Sequence, residues 1–522
     1  MIQIKDLSIA FEQTEVVKHI NLSMQSGEIL GLVGESGSGK SVTALTIMGL
    51  ISNKANISSG SIVLEDHTLV EAGKPINHTD YQKLQGKEMS MVFQEPMTSL
   101  NPTMKIGRQV EEVLLLHTSM NANERKTKVL SILNEVGLSN PDKIYESYPH
   151  ELSGGMRQRV MIAMAVILKP KVLIADEPTT ALDVTIQSQI IALLKELNQK
   201  YGTAILFITH DLNLARRICN RIAVMKDGSL IEQGDTDEIF THPSNEYTKM
   251  LIHEMPTRNK RRKTDNEISD HSEASDKILE VSDLNIYYKE ASRSFFTLDS
   301  QKKCVGKDIS FSINKGEILG LVGESGCGKT SLSRAILGIN TNYTGCVTHY
   351  SKHPQMIFQD PYSSLNPSKS IGWLLCEALK NSDYAKENNL NKDEIKTQAC
   401  EMLEKVGLSS DYYNRMPHQL SGGQRQRVSI GIALISRPSL VIADEPLSAL
   451  DVTIQSHIMD LMLSLQKEMG LSYLFISHDI NVIYQMCDRI MVMKDGHIIE
   501  KGKTIDIFEH PKEPYTKMLL AE

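Results

Sequence analysis

GEILGLVGESGSGKS fills residues 27–41, and GEILGLVGESGCGKT fills residues 316–330. In each copy the apolar run ILGLV, with its β-branched members, reads as a buried strand leading into a glycine-rich loop. The residues that follow, KSVTALTIMGL in the first copy, place apolar side chains at helical spacing. Strand, glycine-rich loop and helix form a phosphate cradle. The glycines let successive backbone N–H groups converge, and the helix N-terminus adds positive potential. The pattern G-x4-G-K-[ST] arises at roughly 10⁻⁵ of positions in a chain of average composition, so two chance copies are implausible. The candidate nucleotide-binding residues are Gly34, Glu35, Ser36, Gly37, Ser38, Gly39, Lys40 and Ser41 in the first copy. In the second they are Gly323, Glu324, Ser325, Gly326, Cys327, Gly328, Lys329 and Thr330. Lys40 and Lys329 are expected to reach the β- and γ-phosphates, and the hydroxyls of Ser41 and Thr330 to hold Mg²⁺.

The repetition extends outward from the loops. VFQEPMTSLNP at 92–102 returns as IFQDPYSSLNP at 357–367, and HELSGGMRQRV at 150–160 as HQLSGGQRQRV at 418–428. IADEPTTALDVTIQSQI at 174–190 returns as IADEPLSALDVTIQSHI at 442–458, and HPSNEYTKML at 242–251 as HPKEPYTKML at 510–519. The order is the same in both halves, so one domain has been duplicated, over 1–253 and 278–522. Residues 254–277 are polar, charged and poor in aliphatics, and read as a flexible linker. Its basic run at 258–263 suits a solvated tether or contact with anionic lipid heads. The copies are unequal: Lys40 and Gln94 are 54 positions apart, but Lys329 and Gln359 only 30, a loss of 24 residues in the second half. Conversely, Phe11 precedes Lys40 by 29 positions and Tyr288 precedes Lys329 by 41.

Composition narrows the function classes. The 522 residues are 41% hydrophobic and 23% charged, as in ordinary globular proteins, and the net charge of -8 offers no footprint for nucleic acid. Seven cysteines lie scattered, none at zinc or iron–sulfur spacing, which predicts reduced thiols and no cluster. The first residues lack the basic-then-apolar order of a signal peptide. The longest apolar stretch, MIAMAVIL at 161–168, is far too short to span a membrane. Any membrane role then runs through partners.

VLIADEP at 172–178 and LVIADEP at 440–446 read as buried strands ending in two carboxylates. Asp176 and Asp444 are expected beside the Mg²⁺, and Glu177 and Glu445 are placed to polarise an attacking water. His210 and His478, each 33 residues after that glutamate at the end of an apolar strand, read as sensors of the γ-phosphate. A single strand-end histidine would more simply be structural. Gln94 and Gln359 follow the strands SMVF and QMIF, where an amide can touch both Mg²⁺ and the attacking water; a buried loop glutamine is the plainer alternative. Ser153, Gly154 and Gly155, like Ser421, Gly422 and Gly423, precede long helical runs. Serine suits the N-cap and the glycines leave backbone N–H groups open, making a second anion-binding helix terminus in each half. One phosphate does not need two such sites from one domain, so the second is expected to serve the other half's nucleotide.

Phosphate loop, glutamine loop, LSGG, ADEP and histidine, in this order, resemble the nucleotide-binding domain of ATP-binding-cassette proteins, over nearly the whole chain apart from the linker. The resemblance implies an α/β fold: two P-loop NTPase domains in tandem, each with a RecA-like core, an antiparallel β subdomain and an α-helical subdomain, the last held within 94–152 and 359–420. It also implies that the two halves of one chain pair around two ATP molecules, with both sites hydrolysing ATP. Glu35, SLNP, LSGGMRQRV, ALDVTIQ and the closing HP…YT element are similar to the dipeptide, oligopeptide and nickel importer group. Met156 stands where many signatures have Gln, a variation known in that group. The implied partners are two membrane permease subunits and an extracytoplasmic solute-binding protein, at the cytoplasmic face of the membrane. Peptides, glutathione, nickel and metal chelates all remain open as the solute. Phe11 and Tyr288 are candidates to stack on adenine, or simply surface or core aromatics. A soluble ribosome-associated ATPase of the ABC-F type is the rival reading. The short linker, poor in helix formers, and the acidic net charge weigh against it. A DNA-repair or chromosome ATPase would want a coiled-coil or zinc insertion, and none is visible.

Overall fold

The computed structural model describes residues 1–74, 78–180, 182, 184–255, 276–289, 302–324, 326–351, 353–360, 364–448 and 450–521. Ser325 and the linker stretch 256–275, with its basic run, lie outside the described residues. The chain forms two compact units, each built almost entirely from one half.

In the first unit a six-stranded sheet runs in the order Ser229–Asp235, Arg221–Lys226, Ile29–Val33, Ala204–Thr209, Val172–Asp176, Met89–Val92. All neighbours are parallel except the outer pair Ser229–Asp235 and Arg221–Lys226. The unbroken apolar runs follow from burial on both faces. Ile29, Val33, Leu173, Ala175, Ile205 and Phe207 enter one core. The alternate residues Leu30, Leu32, Val172, Ile174, Leu206 and Ile208 enter another. The first of these cores is shared with a helical layer, Ile106–His117, Ala122–Glu135, Pro141–Glu146 and Gly154–Val166. The second is shared with a four-stranded antiparallel sheet, ordered Thr14–Met24, Ile2–Phe11, Ala55–Leu64, His67–Glu71.

The second unit repeats the plan. Its six strands are ordered Gln355–Ile357, Leu440–Asp444, Ser472–Ile476, Ile318–Val322, Arg489–Lys494, His497–Lys503. Its helical layer holds Ile371–Lys380, Asp383–Glu387, Lys392–Lys405 and Gly422–Leu434. Both layers start one helix with the same reciprocal cap, Asn121 with Glu124 and Asn391 with Glu394, satisfying N–H groups that the first turn leaves open. The antiparallel sheet here has three strands, Lys302–Asn314, Lys277–Lys289 and Tyr343–His349. Strand His67–Glu71 and helix His78–Leu84 of the first unit have no counterpart among the described residues, which is where the missing 24 positions fall.

Several strand ends fall earlier than the sequence suggests. SMVF and QMIF stop at Val92 and Ile357, leaving Phe93 and Phe358 exposed. The strands before the histidines stop at Thr209 and Ile476, so His210 and His478 sit in the turn that follows. The cause is local: Asp211 and Asp479 cap the next helix. Their Oδ1 atoms accept from Asn213 and Asn481 N–H, each at 2.8 Å, which pulls the chain out of the ladder.

Candidate active sites

The phosphate loop follows the central strand because that strand is pinned at its start. Ile29 N–H donates to Asn220 Oδ1 and Ile318 N–H to Asp488 Oδ2, each at 2.8 Å. Beside these, Arg221 reaches Glu28 and Arg489 reaches Glu317, both at 2.9 Å. At the loop's first residue a side chain has no room: a Cβ on Gly34 would stand 2.1 Å from the Met225 carbonyl oxygen, and one on Gly323 2.2 Å from that of Met493.

Lys40 and Lys329 are buried at the start of the helices Lys40–Ile47 and Lys329–Ile336. Lys40 Nζ donates to the carbonyls of Gly34 at 2.8 Å and Glu35 at 2.7 Å, and Lys329 Nζ to those of Gly323 at 2.6 Å and Glu324 at 2.9 Å. The loop thus solvates the ammonium where phosphate oxygens would. Burial lowers the Lys40 pKa, opposed by the nearby carboxylates of Glu177 and Asp176. Ser38 and Cys327 are the buried side chains at equivalent loop positions, and burial pushes the Cys327 thiol up.

Ser41 Oγ donates to Asp176 Oδ1 at 3.2 Å, and the Thr330 hydroxyl makes the matching bond to Asp444. Burial raises Asp176 to about 6 despite the Ser41 bond, and raises Asp444 as well. A hydroxyl and a desolvated carboxylate side by side form an all-oxygen pair that fits a hard divalent cation better than a soft one.

Glu177 and Glu445 occupy the left-handed backbone region, at φ 46° and 49°. For a residue with a Cβ this costs roughly 1–2 kcal/mol, and such strain persists only where the surroundings enforce it. Here the enforcing bonds are the glutamates' own N–H groups to the Ile208 and Ile476 carbonyls, both at 2.9 Å. The Glu177 carboxylate accepts from Gln94 Nε2 at 2.7 Å, His210 Nδ1 at 3.0 Å and Thr180 Oγ1 at 2.9 Å. Glu445 accepts from Gln359 Nε2 at 2.9 Å and His478 Nδ1 at 3.2 Å. Burial raises both glutamates, but the histidine bonds win and hold them below the usual carboxylate range; the same bonds raise both histidines against their burial.

The structure therefore gathers lysine, aspartate, glutamate, glutamine and histidine around one point in each unit. Thr180 was not foreseen, although the repeat pairs it with Ser448, which bonds the Glu445 carbonyl at 2.9 Å. Ser153 and Ser421 are N-caps, accepting from Met156 N–H at 3.3 Å and Gln424 N–H at 3.4 Å. Gly155 and Gly423 are pressed against isoleucines: a Cβ would meet Ile186 Cγ2 at 2.8 Å and Ile454 Cγ2 at 2.7 Å. Among the described residues, no hydrogen bond joins Ser153 to Lys40, Glu177 or His210, or Ser421 to Lys329, Glu445 or His478. Phe11 packs partly against its unit's core, and Tyr288 is exposed at the end of its strand.

Comparison with known proteins agrees with this geometry. Residues 17–180 and 306–448 match the family model described as ABC transporter. Residues 231–280 and 499–521 match that described as oligopeptide/dipeptide transporter, C-terminal region. The chain is 40% identical over 542 residues to the peptidoglycan transport ATP-binding protein YejF of Agrobacterium fabrum, covering 100% of this chain and 96% of the relative. It is 39% identical over 561 residues to the glutathione import ATP-binding protein GsiA of Pectobacterium atrosepticum, covering 100% and 89%. With the ABC transporter ATP-binding protein YejF of Escherichia coli K12 it shares 38% over 542 residues, covering 100% and 99%.

Proposed function

The chain belongs to the ABC transporter family as an ATPase with two tandem ATP-binding cassettes, and from that premise we propose that it energises import of peptides or of peptide-like solutes such as glutathione. The observation that carries the proposal is the pairing, in each half, of a full lysine–aspartate–glutamate–glutamine–histidine set with a closing HP…YT element of the oligopeptide type.

In this reading Lys40 and Lys329 exchange loop carbonyls for the β- and γ-phosphates. Ser41 with Asp176, and Thr330 with Asp444, would hold Mg²⁺, which would supply charge neutralisation on the transferred phosphoryl group. Gln94 and Gln359, whose amides donate to the glutamates in this structure, would be placed to contact Mg²⁺ and to orient the attacking water. Glu177 and Glu445 orient and polarise that water. Their depressed pKa values suit positioning and partial proton acceptance better than full deprotonation in advance of attack. His210 and His478 steady the glutamate through Nδ1, leaving Nε2 for the γ-phosphate. The glycine-opened helix starts at Ser153 and Ser421 offer further backbone N–H groups to nucleotide phosphate. The domain limits are 1–253 and 278–522. The protein works peripherally, bound to two permease subunits fed by a solute-binding protein. No helix among the described residues is long and apolar enough to cross a membrane.

Uptake tests the proposal. A strain lacking the gene should lose uptake of labelled dipeptides or glutathione. The wild-type gene should restore it and a Glu177→Gln, Glu445→Gln version should not, with the protein on membranes only when permeases are present. A protein that instead tracks polysomes, with uptake of every such solute intact, would make it a ribosome-associated ATPase.

A further inference from the structure

The closing HP…YT element is accounted for as a family mark but not by the chemistry above. In the second unit it forms the helix Pro514–Ala521, and Tyr515 on that helix is buried. The Tyr515 hydroxyl accepts from the Glu324 backbone N–H at 3.1 Å. Glu324 directly follows the first glycine of the phosphate loop, and its carbonyl is one of the two that hold Lys329. The helix itself is anchored. Glu500, on strand His497–Lys503, accepts from the N–H groups of Lys512 at 2.9 Å and Glu513 at 3.2 Å. Lys494 stands 4.8 Å over the Tyr515 ring. The turn after Lys494 grips the far side of the same loop, Gly496 N–H donating to the Cys327 carbonyl at 3.1 Å.

The first unit repeats nearly every part. Glu232 accepts from Ser244 N–H at 2.6 Å and Asn245 N–H at 3.2 Å, Lys226 lies 4.5 Å over the Tyr247 ring, and Gly228 N–H donates to the Ser38 carbonyl at 3.1 Å. Tyr247 is buried with its hydroxyl beside Glu35, and among the described residues that hydroxyl completes no hydrogen bond.

We propose that Tyr515 and its counterpart Tyr247 are positioning residues of the two nucleotide sites: the Tyr515 hydroxyl braces the first arm of its phosphate loop through the Glu324 N–H, fixing the loop's shape before ATP arrives, and the Tyr247 hydroxyl stands beside Glu35 at the same place without closing the bond. The brace has two ends: the hairpin glycine at one arm, and at the other the tyrosine, on a helix whose start is tied to the same hairpin through Glu500 or Glu232. A loop held this way keeps its amides converged. Released, it must be ordered by the nucleotide at the expense of affinity. The hydroxyl of each closing tyrosine is thereby tied to ATP binding, while its ring and the leucines of its helix belong to the core.

The proposal rests on the two loops being the ATP sites. Tyr515→Phe removes only the hydroxyl and keeps the ring under Lys494. It should weaken binding of MgATP, or raise its KM, by on the order of three- to tenfold, with kcat within twofold and the melting temperature unchanged. Tyr247→Phe should act in the same direction and less. Hydrogen exchange of the ligand-free protein gives a second readout: the peptide containing Glu324 should exchange faster in Tyr515→Phe, while peptides of the helical layer stay unchanged. Equal affinity and equal exchange in wild type and variants would overturn the brace. Failure of the wild type itself to bind MgATP would instead overturn the site assignment beneath it.

Discussion

Glu177 illustrates what one residue can and cannot reveal in sequence. Its identity after a buried apolar run, next to Asp176, was enough to single it out. Its positive φ was not, because the strain arises from a ladder bond to Ile208, a residue 31 positions away in sequence and adjacent only in the parallel sheet. The grip of His210 and Gln94 on its carboxylate was likewise invisible. The resulting ion pair makes a pH prediction. A raised histidine pKa contributes stability that is present below the unfolded histidine value and lost as pH rises through the folded one. A lowered glutamate pKa contributes stability present above the unfolded glutamate value and lost as pH falls through the folded one. The pair is therefore intact between the lowered Glu177 value and the raised His210 value. Histidine NMR of the ligand-free protein should show His210 and His478 titrating above the ordinary range. Glu177→Gln should return His210 downward and leave His478 in place.

At the scale of elements, the strands of the six-stranded sheets were legible because apolar runs of five residues, doubly buried, leave little room for another reading, whereas the antiparallel β layer and the helical layer followed only from the family resemblance. Strand ends were less so, since Asp211 and Asp479 cap helices through bonds that no periodicity signals. The ion pairs beneath the phosphate loops also escaped the sequence, as they join residues more than 170 positions apart. They matter energetically. Glu317 is almost wholly buried, and Arg489 is its charge partner. Arg489→Ala would leave a buried carboxylate uncompensated and should lower stability by about 3 kcal/mol, read by chemical denaturation. Gly34→Ala drives a methyl group into the Met225 carbonyl. It should weaken ATP binding by more than about tenfold, with a lower melting temperature as the loop and its neighbouring strand shift.

For the molecule as a whole, duplication was the plainest message of the sequence, and the two units bear it out with the same sheet order and the same carboxylate–histidine–glutamine geometry. The shortened antiparallel sheet of the second unit was foreseeable from the 24-residue loss in spacing taken together with the β subdomain that the family resemblance implies. Glu177→Gln or Glu445→Gln alone should each remove at least half of turnover. The most direct test is phosphate release by the purified chain carrying both substitutions. The account predicts that the double variant still binds MgATP but releases phosphate at least about a hundredfold more slowly than wild type. Turnover near the wild-type rate in that variant would contradict it.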